Sequence, residues 1–326
     1  MKVLITGATG FVGSWLTRAL CKRNFQVRIL CRNPKAAEEF YNLPIEVVTG
    51  DITHPESLNH AFQGVQGVFH LAAIMVKSKN IGETMERVNV NGTRNVLAAA
   101  LKHNIQRFIH MSSTAAIGAS FDGKPLNENS PFKISHLNLS YFETKKAAEK
   151  LVQSAVKQEH LNAVIVNPSS IYGPEDAKKG SRTIQVKIAK GKFPFYSSGG
   201  VNIIGIEDVV EGTLSAWEKG RIGDRYILSG ENITIKDLFK IIATEAKVTP
   251  PFIYLPNPVL HALGKVGDFM ERRGKKAVIN SEKAHVATLY NWFDSSKAQK
   301  ELGLRPKPIR QAIASSVQWM KDNHVI

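Results

Sequence analysis

Short runs of β-branched and other apolar residues alternate with stretches of helical periodicity through the first half of the chain. KVLIT, QVRIL, IEVVTG, GVFHLA, RFIHMS and NAVIVN read as six strands, dense enough in apolar residues for a sheet buried on both faces. Between them the pattern predicts helices near residues 11–23, 35–41, 55–62, 83–103 and 141–160. Such alternation implies right-handed crossovers and therefore an α/β fold, a doubly wound parallel sheet of the Rossmann type over residues 1–170.

After NPSSIYGPED the regular alternation stops, and prolines, glycines and single helices take over. Residues 171–326 are expected to form a smaller C-terminal substrate-binding portion, with some segments returning to the sheet. DVVEGTLSAWEK reads as a helix and RYIL as a strand. TIKDLFKIIATEAK starts with a Thr234 cap and Asp237 three residues on, a capping box with the shorter acid. Val259, Leu260, Leu263, Val266, Phe269 and Met270 recur at helical spacing, followed by the cationic cluster ERRGKK (Arg272, Arg273, Lys275, Lys276). The expected role is a lid helix over a pocket, with membrane-surface contact the weaker alternative. There is no internal repeat and no low-complexity tract.

Composition narrows the class. Hydrophobic residues make up 43% of the 326, ample for a core, but no apolar run is long enough to span a bilayer. The N-terminal KVLITG has the character of a strand and not of a secretory signal, and the two cysteines, Cys21 and Cys31, suggest neither disulfide nor metal site. A reducing cytoplasm is the expected location. The net charge of +15 would attract nucleic acid, anionic lipid or acidic small molecules. Because the cations are scattered outside ERRGKK, a solvated basic surface is the preferred reading, with no nucleic acid expected.

The first strand runs straight into TGATGFVG, with Gly7, Gly10 and Gly13 spaced GxxGxxG, and a helix follows at once. Glycine permits the tight turn and the close approach of a pyrophosphate to backbone N–H groups at a helix N-terminus. Strand–loop–helix is the context such a motif requires, so residues 1–170 should bind a dinucleotide. NAD-binding versions usually place an acid at the end of the second strand, to hold the ribose 2′-hydroxyl. Here that place reads Cys31, Arg32, Asn33, and the guanidinium of Arg32 suits a 2′-phosphate, so NADP(H) is favoured over NAD(H). Asp51 and Ile52 at the end of the third strand suit the adenine, and small Ala72 and Ala73 after the fourth let a cofactor lie close. His70 is given no chemistry.

The fifth strand ends in HMSSTAAIG, and four residues separate Tyr141 from Lys145 in YFETK, one turn on one helix face. With the glycine loop, GDI, HLAA, VNVNGT, SST and YFETK in this order, the chain resembles the extended short-chain dehydrogenase/reductases of the NAD(P)-dependent epimerase/dehydratase superfamily. It looks nearest to the dihydroflavonol-reductase-like and hopanoid-associated, epimerase-like members, and the resemblance covers nearly the whole chain. It implies that Tyr141 is the general acid/base, that Lys145 lowers its pKa and binds the nicotinamide ribose, and that Ser113 donates to the substrate oxygen, with Thr114 the fallback. It adds Thr9, Phe11, Val12, Leu71, Pro168 and Ser170 to the cofactor contacts, together with Tyr141 and Lys145 themselves. Asn89 matches the family's asparagine, for which helix packing is an equal reading, and Asn167 stands where the family commonly has arginine.

Sugar-nucleotide dehydratases of the family carry Asp–Glu where this chain has Ala115 and Ala116, which argues against dehydration. The reading is therefore an NADP(H)-dependent reductase of ketones or aldehydes. The alternatives are an NAD(P)-dependent sugar-nucleotide epimerase and, from another class, a non-catalytic NADPH-binding or nucleic-acid-binding protein on the same fold. Expected pocket walls contain Met75, Val76, Phe121, Phe132, Phe193, Phe195, Tyr196, Phe252, Tyr254, Phe269 and Met270, an inventory for a hydrophobic small-molecule carbonyl or alcohol. Monomer and homodimer both fit.

Overall fold

Seven parallel strands form the central sheet of the computed structural model, which describes residues 1–75, 81–177, 182–275 and 277–326. The first stretch runs β1 (Lys2–Thr6), α1 (Phe11–Lys22), β2 (Gln26–Cys31), β3 (Ile45–Thr49), α2 (Pro55–Phe62), β4 (Gly67–His70), α3 (Ile81–Met85), α4 (Gly92–Lys102), β5 (Arg107–Met111), α5 (Ser140–Glu159) and β6 (Ala163–Pro168). The second continues with β7 (Ser170–Tyr172), α6 (Thr183–Ala189), β8 (Phe195–Tyr196), β9 (Gly200–Gly205), α7 (Ile206–Lys219), β10 (Arg225–Leu228), β11 (Glu231–Thr234) and α8 (Ile235–Ala246). It ends with β12 (Ile253–Tyr254), α9 (Asn257–Arg272), α10 (Ser281–Thr288), β13 (Tyr290–Asn291), α11 (Ser296–Leu302) and α12 (Ile309–Asp322).

The sheet order is β3-β2-β1-β4-β5-β6-β10, so a strand from the second stretch closes the sheet beside β6. Both faces are covered, as the unbroken apolar runs require: one by α1, α7 and α11, the other by α2, α4 and α5. A smaller core gathers β7, β9, α6, α8 and α12, and Phe193 packs there against Phe239. That places Phe193 in a core rather than on a pocket wall. Val76 and Lys276 lie outside the described residues.

Two expected helices differ in kind. Residues 34–40 form a 3-10 segment opened by Pro34, with Asn33 accepting from the Lys35 N–H. Its buried residues Ala37 and Phe40 are three apart, the repeat that a three-residue turn brings onto one face. The helix predicted over 83–103 is interrupted at Glu86–Asn91 by a π turn, which delivers Asn89 to the interior. The Thr234 cap forms as predicted: Oγ1 accepts from the Asp237 N–H at 3.1 Å. The short Asp237 carboxylate accepts from that same hydroxyl at 2.6 Å. Helix α9 packs against α10 at Gly264 and against the preceding Ile279 backbone at Gly267.

Candidate active site

Parallel pairing sets the carboxyl ends of the strands along one edge, with Thr6 level with His70, and Met111 with Val166. The residues singled out above follow those ends, where ligands of open α/β sheets bind. At the β1–α1 turn Gly7 has φ +76°, and a Cβ there would stand 2.7 Å from the Ala72 nitrogen. At Gly13 it would stand 2.1 Å from the Gly7 oxygen. Only glycine lets the turn lie this close to the end of β4 and to the first turn of α1. Gly10 caps α1 without any side-chain bond, and no acid occupies the first turn, so the N–H groups of Phe11, Val12 and Gly13 face an anion-favouring end. This cradle fits a dinucleotide pyrophosphate.

Arg32 follows β2 and is exposed; among the described residues its guanidinium has no hydrogen bond or ion pair. Its charge reaches Asp51. Burial raises the Asp51 carboxyl, but hydrogen bonds from the Thr53 N–H and hydroxyl, with Arg32, hold it below its ordinary value. Ile52 is buried under Gly92 of α4. Leu71 and Ala72 are tied to β1 by bonds from their N–H groups to the Thr6 carbonyl and hydroxyl.

Ser113, two residues beyond β5, caps a 3-10 turn, its Oγ accepting from the Ala115 N–H at 3.2 Å. The same hydroxyl acts on the phenol of Tyr141, on the first turn of α5. Burial pushes the Tyr141 phenol above its ordinary value, and the Ser113 hydroxyl opposes that. One turn on, Lys145 is buried; desolvation draws it down to about 8, against the pull of Glu149. Its Nζ donates to the Met111 carbonyl at 2.9 Å. The sheet edge thus brings Ser113, Tyr141 and Lys145 to one place, with the ammonium anchored on the end of β5. Pro168 and Ser170 flank the next strand end, and Ser169 Oγ donates to Asn202 Oδ1 at 2.6 Å.

Behind these groups lies a buried cluster that sequence reasoning missed. Glu149 accepts from Ser112 Oγ at 2.7 Å, Asn167 Nδ2 at 2.7 Å and Arg225 Nη1 at 2.9 Å. Asn167 Nδ2 also donates to the Ser113 carbonyl at 3.0 Å, so the cluster fixes the backbone that carries the Ser113 hydroxyl. Asn89 clamps the loop after β4 by a pair of bonds with Ile74, 2.8 Å to its N–H and 3.0 Å to its carbonyl. Its amide also reaches Thr144 of α5 at 3.3 Å, so the asparagine is a packing and positioning element. His70 bridges Thr6 and Thr93, and burial keeps it neutral with a pKa of about 3, a core histidine. Burial raises the Glu282 carboxyl of α10, and the backbone N–H groups of Tyr141 and Ser140 at the start of α5 oppose that. Tyr141, with Phe132, Leu137 and Val286, packs against a small apolar cluster that includes Ala115, Phe142 and Leu289. Met75 and Phe121 are exposed.

Known proteins share this architecture. A family model described as the NAD dependent epimerase/dehydratase family matches residues 3–229. A protein of Synechocystis sp. provisionally named dihydroflavonol 4-reductase is 35% identical, the alignment covering 98% of this chain and 94% of that protein. Sterol demethylase protein B of Methylococcus capsulatus is 31% identical over the full length of both. The crystal structure of gox2253 superposes with a TM-score of 0.88 at 36% identity, covering 99% of each chain.

Proposed function

Because the chain belongs to the NAD dependent epimerase/dehydratase family, oxidoreductases of the extended short-chain type, we propose that it reduces a ketone or aldehyde to an alcohol with NADP(H). The observation that carries this reading is that Ser113, whose hydroxyl acts on the Tyr141 phenol, follows a strand end of the same sheet edge as the glycine cradle, with the buried Lys145 one helical turn beyond the tyrosine. When bound, the nicotinamide supplies or accepts a hydride at C4. Tyr141 Oη gives its proton to the carbonyl oxygen, so that hydride and proton together complete the alcohol; in the reverse direction it takes the proton back. Ser113 Oγ donates to the same oxygen and steadies the charge that develops there. Lys145 Nζ, one turn beyond Tyr141, would favour the phenolate form and would hold the ribose hydroxyls, and Glu149 favours the charged form of that ammonium against its burial.

Arg32 carries the cofactor preference: it is exposed at the end of β2, with no carboxylate at the position that would hold a 2′-hydroxyl. Ala115 and Ala116 lack the groups for dehydration. In this reading residues 1–170 chiefly hold the cofactor and residues 171–326 shape the substrate site. The apolar cluster that Tyr141 packs against favours a hydrophobic carbonyl, in keeping with the sterol in the name of the Methylococcus relative. Two free cysteines fit a reducing cytoplasm. NADPH binding by fluorescence, followed by NADPH oxidation across a panel of hydrophobic ketones and aldehydes, tests it. Tighter binding of NAD+ than of NADP+ overturns the cofactor assignment, and undiminished turnover in Tyr141→Phe overturns the mechanism.

A further inference from the structure

Helix α9 turns a stripe of large apolar residues away from the fold. Val259 (46% exposed), Leu263 (44%), Val266 (56%) and Phe269 (54%) recur every three or four residues, one face of a helix. Another face, with Leu260, Gly264 and Gly267, is buried. Just before the helix Phe252, Ile253 and Tyr254 are exposed as well. Single exposed apolar residues are ordinary, but a continuous stripe marks a surface that something covers.

The charges around the stripe indicate what covers it. Both acids of α9 are engaged at the start of α10. Asp268 Oδ1 accepts from the Ser281 N–H at 3.0 Å, and Glu271 Oε2 from Asn280 Nδ2 at 3.2 Å. Lys265, Arg272, Arg273 and Lys275 are exposed, and among the described residues none of them forms an ion pair. The Arg273 guanidinium lies 4.2 Å over the Phe269 ring, which holds a cation at the edge of the apolar stripe. A second copy pairing head to tail through the stripe would bring these cations to the Asn257–His261 end, which has no carboxylate to receive them. Anionic headgroups above acyl chains match both features at once.

We propose that α9 lies in the interface of an anionic membrane, its stripe sunk among the acyl chains and its cations against the headgroups. The contact is peripheral, since among the described residues no helix is long and apolar enough to cross a bilayer. The formal charge of +15 adds a longer-ranged attraction that salt weakens.

Cosedimentation of the full chain with vesicles tests this without substrate or cofactor, so its result is independent of the proposed reaction. Vesicles of phosphatidylcholine with about 30% phosphatidylglycerol should bind at least about tenfold more tightly than phosphatidylcholine alone. Leu263→Glu with Phe269→Glu should lose about tenfold or more at an unchanged melting temperature, and Arg272→Glu with Arg273→Glu should weaken binding and flatten its salt dependence. In Val266→Trp the indole emission at position 266 should shift to the blue on these vesicles. Absence of binding, undiminished binding by the Leu263/Phe269 variant, or no emission shift overturns the proposal. So does a dimer in light scattering that this variant converts to monomer, which would give the stripe to a second copy.

Discussion

Glu149 stands one turn beyond Lys145 on the same face of α5, and its carboxylate opposes the desolvation that draws the lysine down to about 8. Arg225, 76 residues further along the chain, shares that carboxylate at 2.9 Å. The charge of the lysine is therefore set by a competition between two cations for one buried anion.

The two partners should move one pH limb in opposite directions. Lys145 ordinarily titrates near 10.5, so its burial disfavours the ammonium, and NADPH affinity should fall as pH rises through about 8. Glu149→Gln should move that limb to lower pH. Arg225→Gln should move it to higher pH while costing about 3 kcal/mol of stability, because it leaves the buried carboxylate without its cation. The linkage has the matching sign: the native lysine binds fewer protons than the unfolded one between about 8 and 10.5, so its burial penalty is complete below that window and relieved as pH rises through it. Fluorescence titration of NADPH across pH, with melting curves, reads both effects.

Tyr141→Phe should reduce kcat by about 10²- to 10⁴-fold and leave the NADPH dissociation constant nearly unchanged, since the ring and its apolar packing remain. Single-turnover reduction with saturating NADPH measures the loss. A fall in cofactor affinity of the same size would mean that the hydroxyl serves binding instead.

Much of this site is legible in the chain itself. The six apolar runs become strands β1 to β6, because a sheet covered on both faces needs little from context. YFETK falls on one helical turn because helix geometry alone dictates it. Glu149 was equally readable, four residues beyond Lys145, yet its role depends on Asn167 and Arg225, which reach it from two neighbouring strands. Asn167 stands where the resemblance leads one to expect arginine, and a guanidinium enters the same cluster from Arg225. No local pattern signals that. Nor does spacing reveal that the Lys145 ammonium bonds the Met111 carbonyl, or that the phenol, without its cofactor, lies above its ordinary value. Pairing, burial and the π turn at Asn89 are properties of tertiary packing.

Arg32→Glu should lower the preference for NADPH over NADH by about 10- to 100-fold, the worth of a charge-assisted bond to a phosphate. Paired dissociation constants for the two cofactors decide it. An unchanged ratio would move the 2′-phosphate contact away from β2.

Gly13→Ala should abolish NADPH binding and cost about 1–3 kcal/mol, because the clash is with backbone and no flexible side chain can yield. The new Cβ would sit 2.1 Å from the Gly7 oxygen. Thermal melting with and without NADPH separates the two losses: the wild type should gain stability with cofactor and the variant should gain none.

The position of β10 beside β6 has a consequence for how the polypeptide is made. Leu228 pairs with Pro168 and Arg225 with Ile165, yet the ribosome adds β7, β9 and α7 before it reaches β10. Until then the Ala163–Pro168 strand has a bare edge and Glu149 lacks its arginine. A nascent chain halted between residues 170 and 225 would expose an apolar, unpaired strand of the kind that recruits other chains. The strand that completes the large sheet therefore emerges between β9 and β11, which pair with each other in a second sheet, and the two sheets mature together.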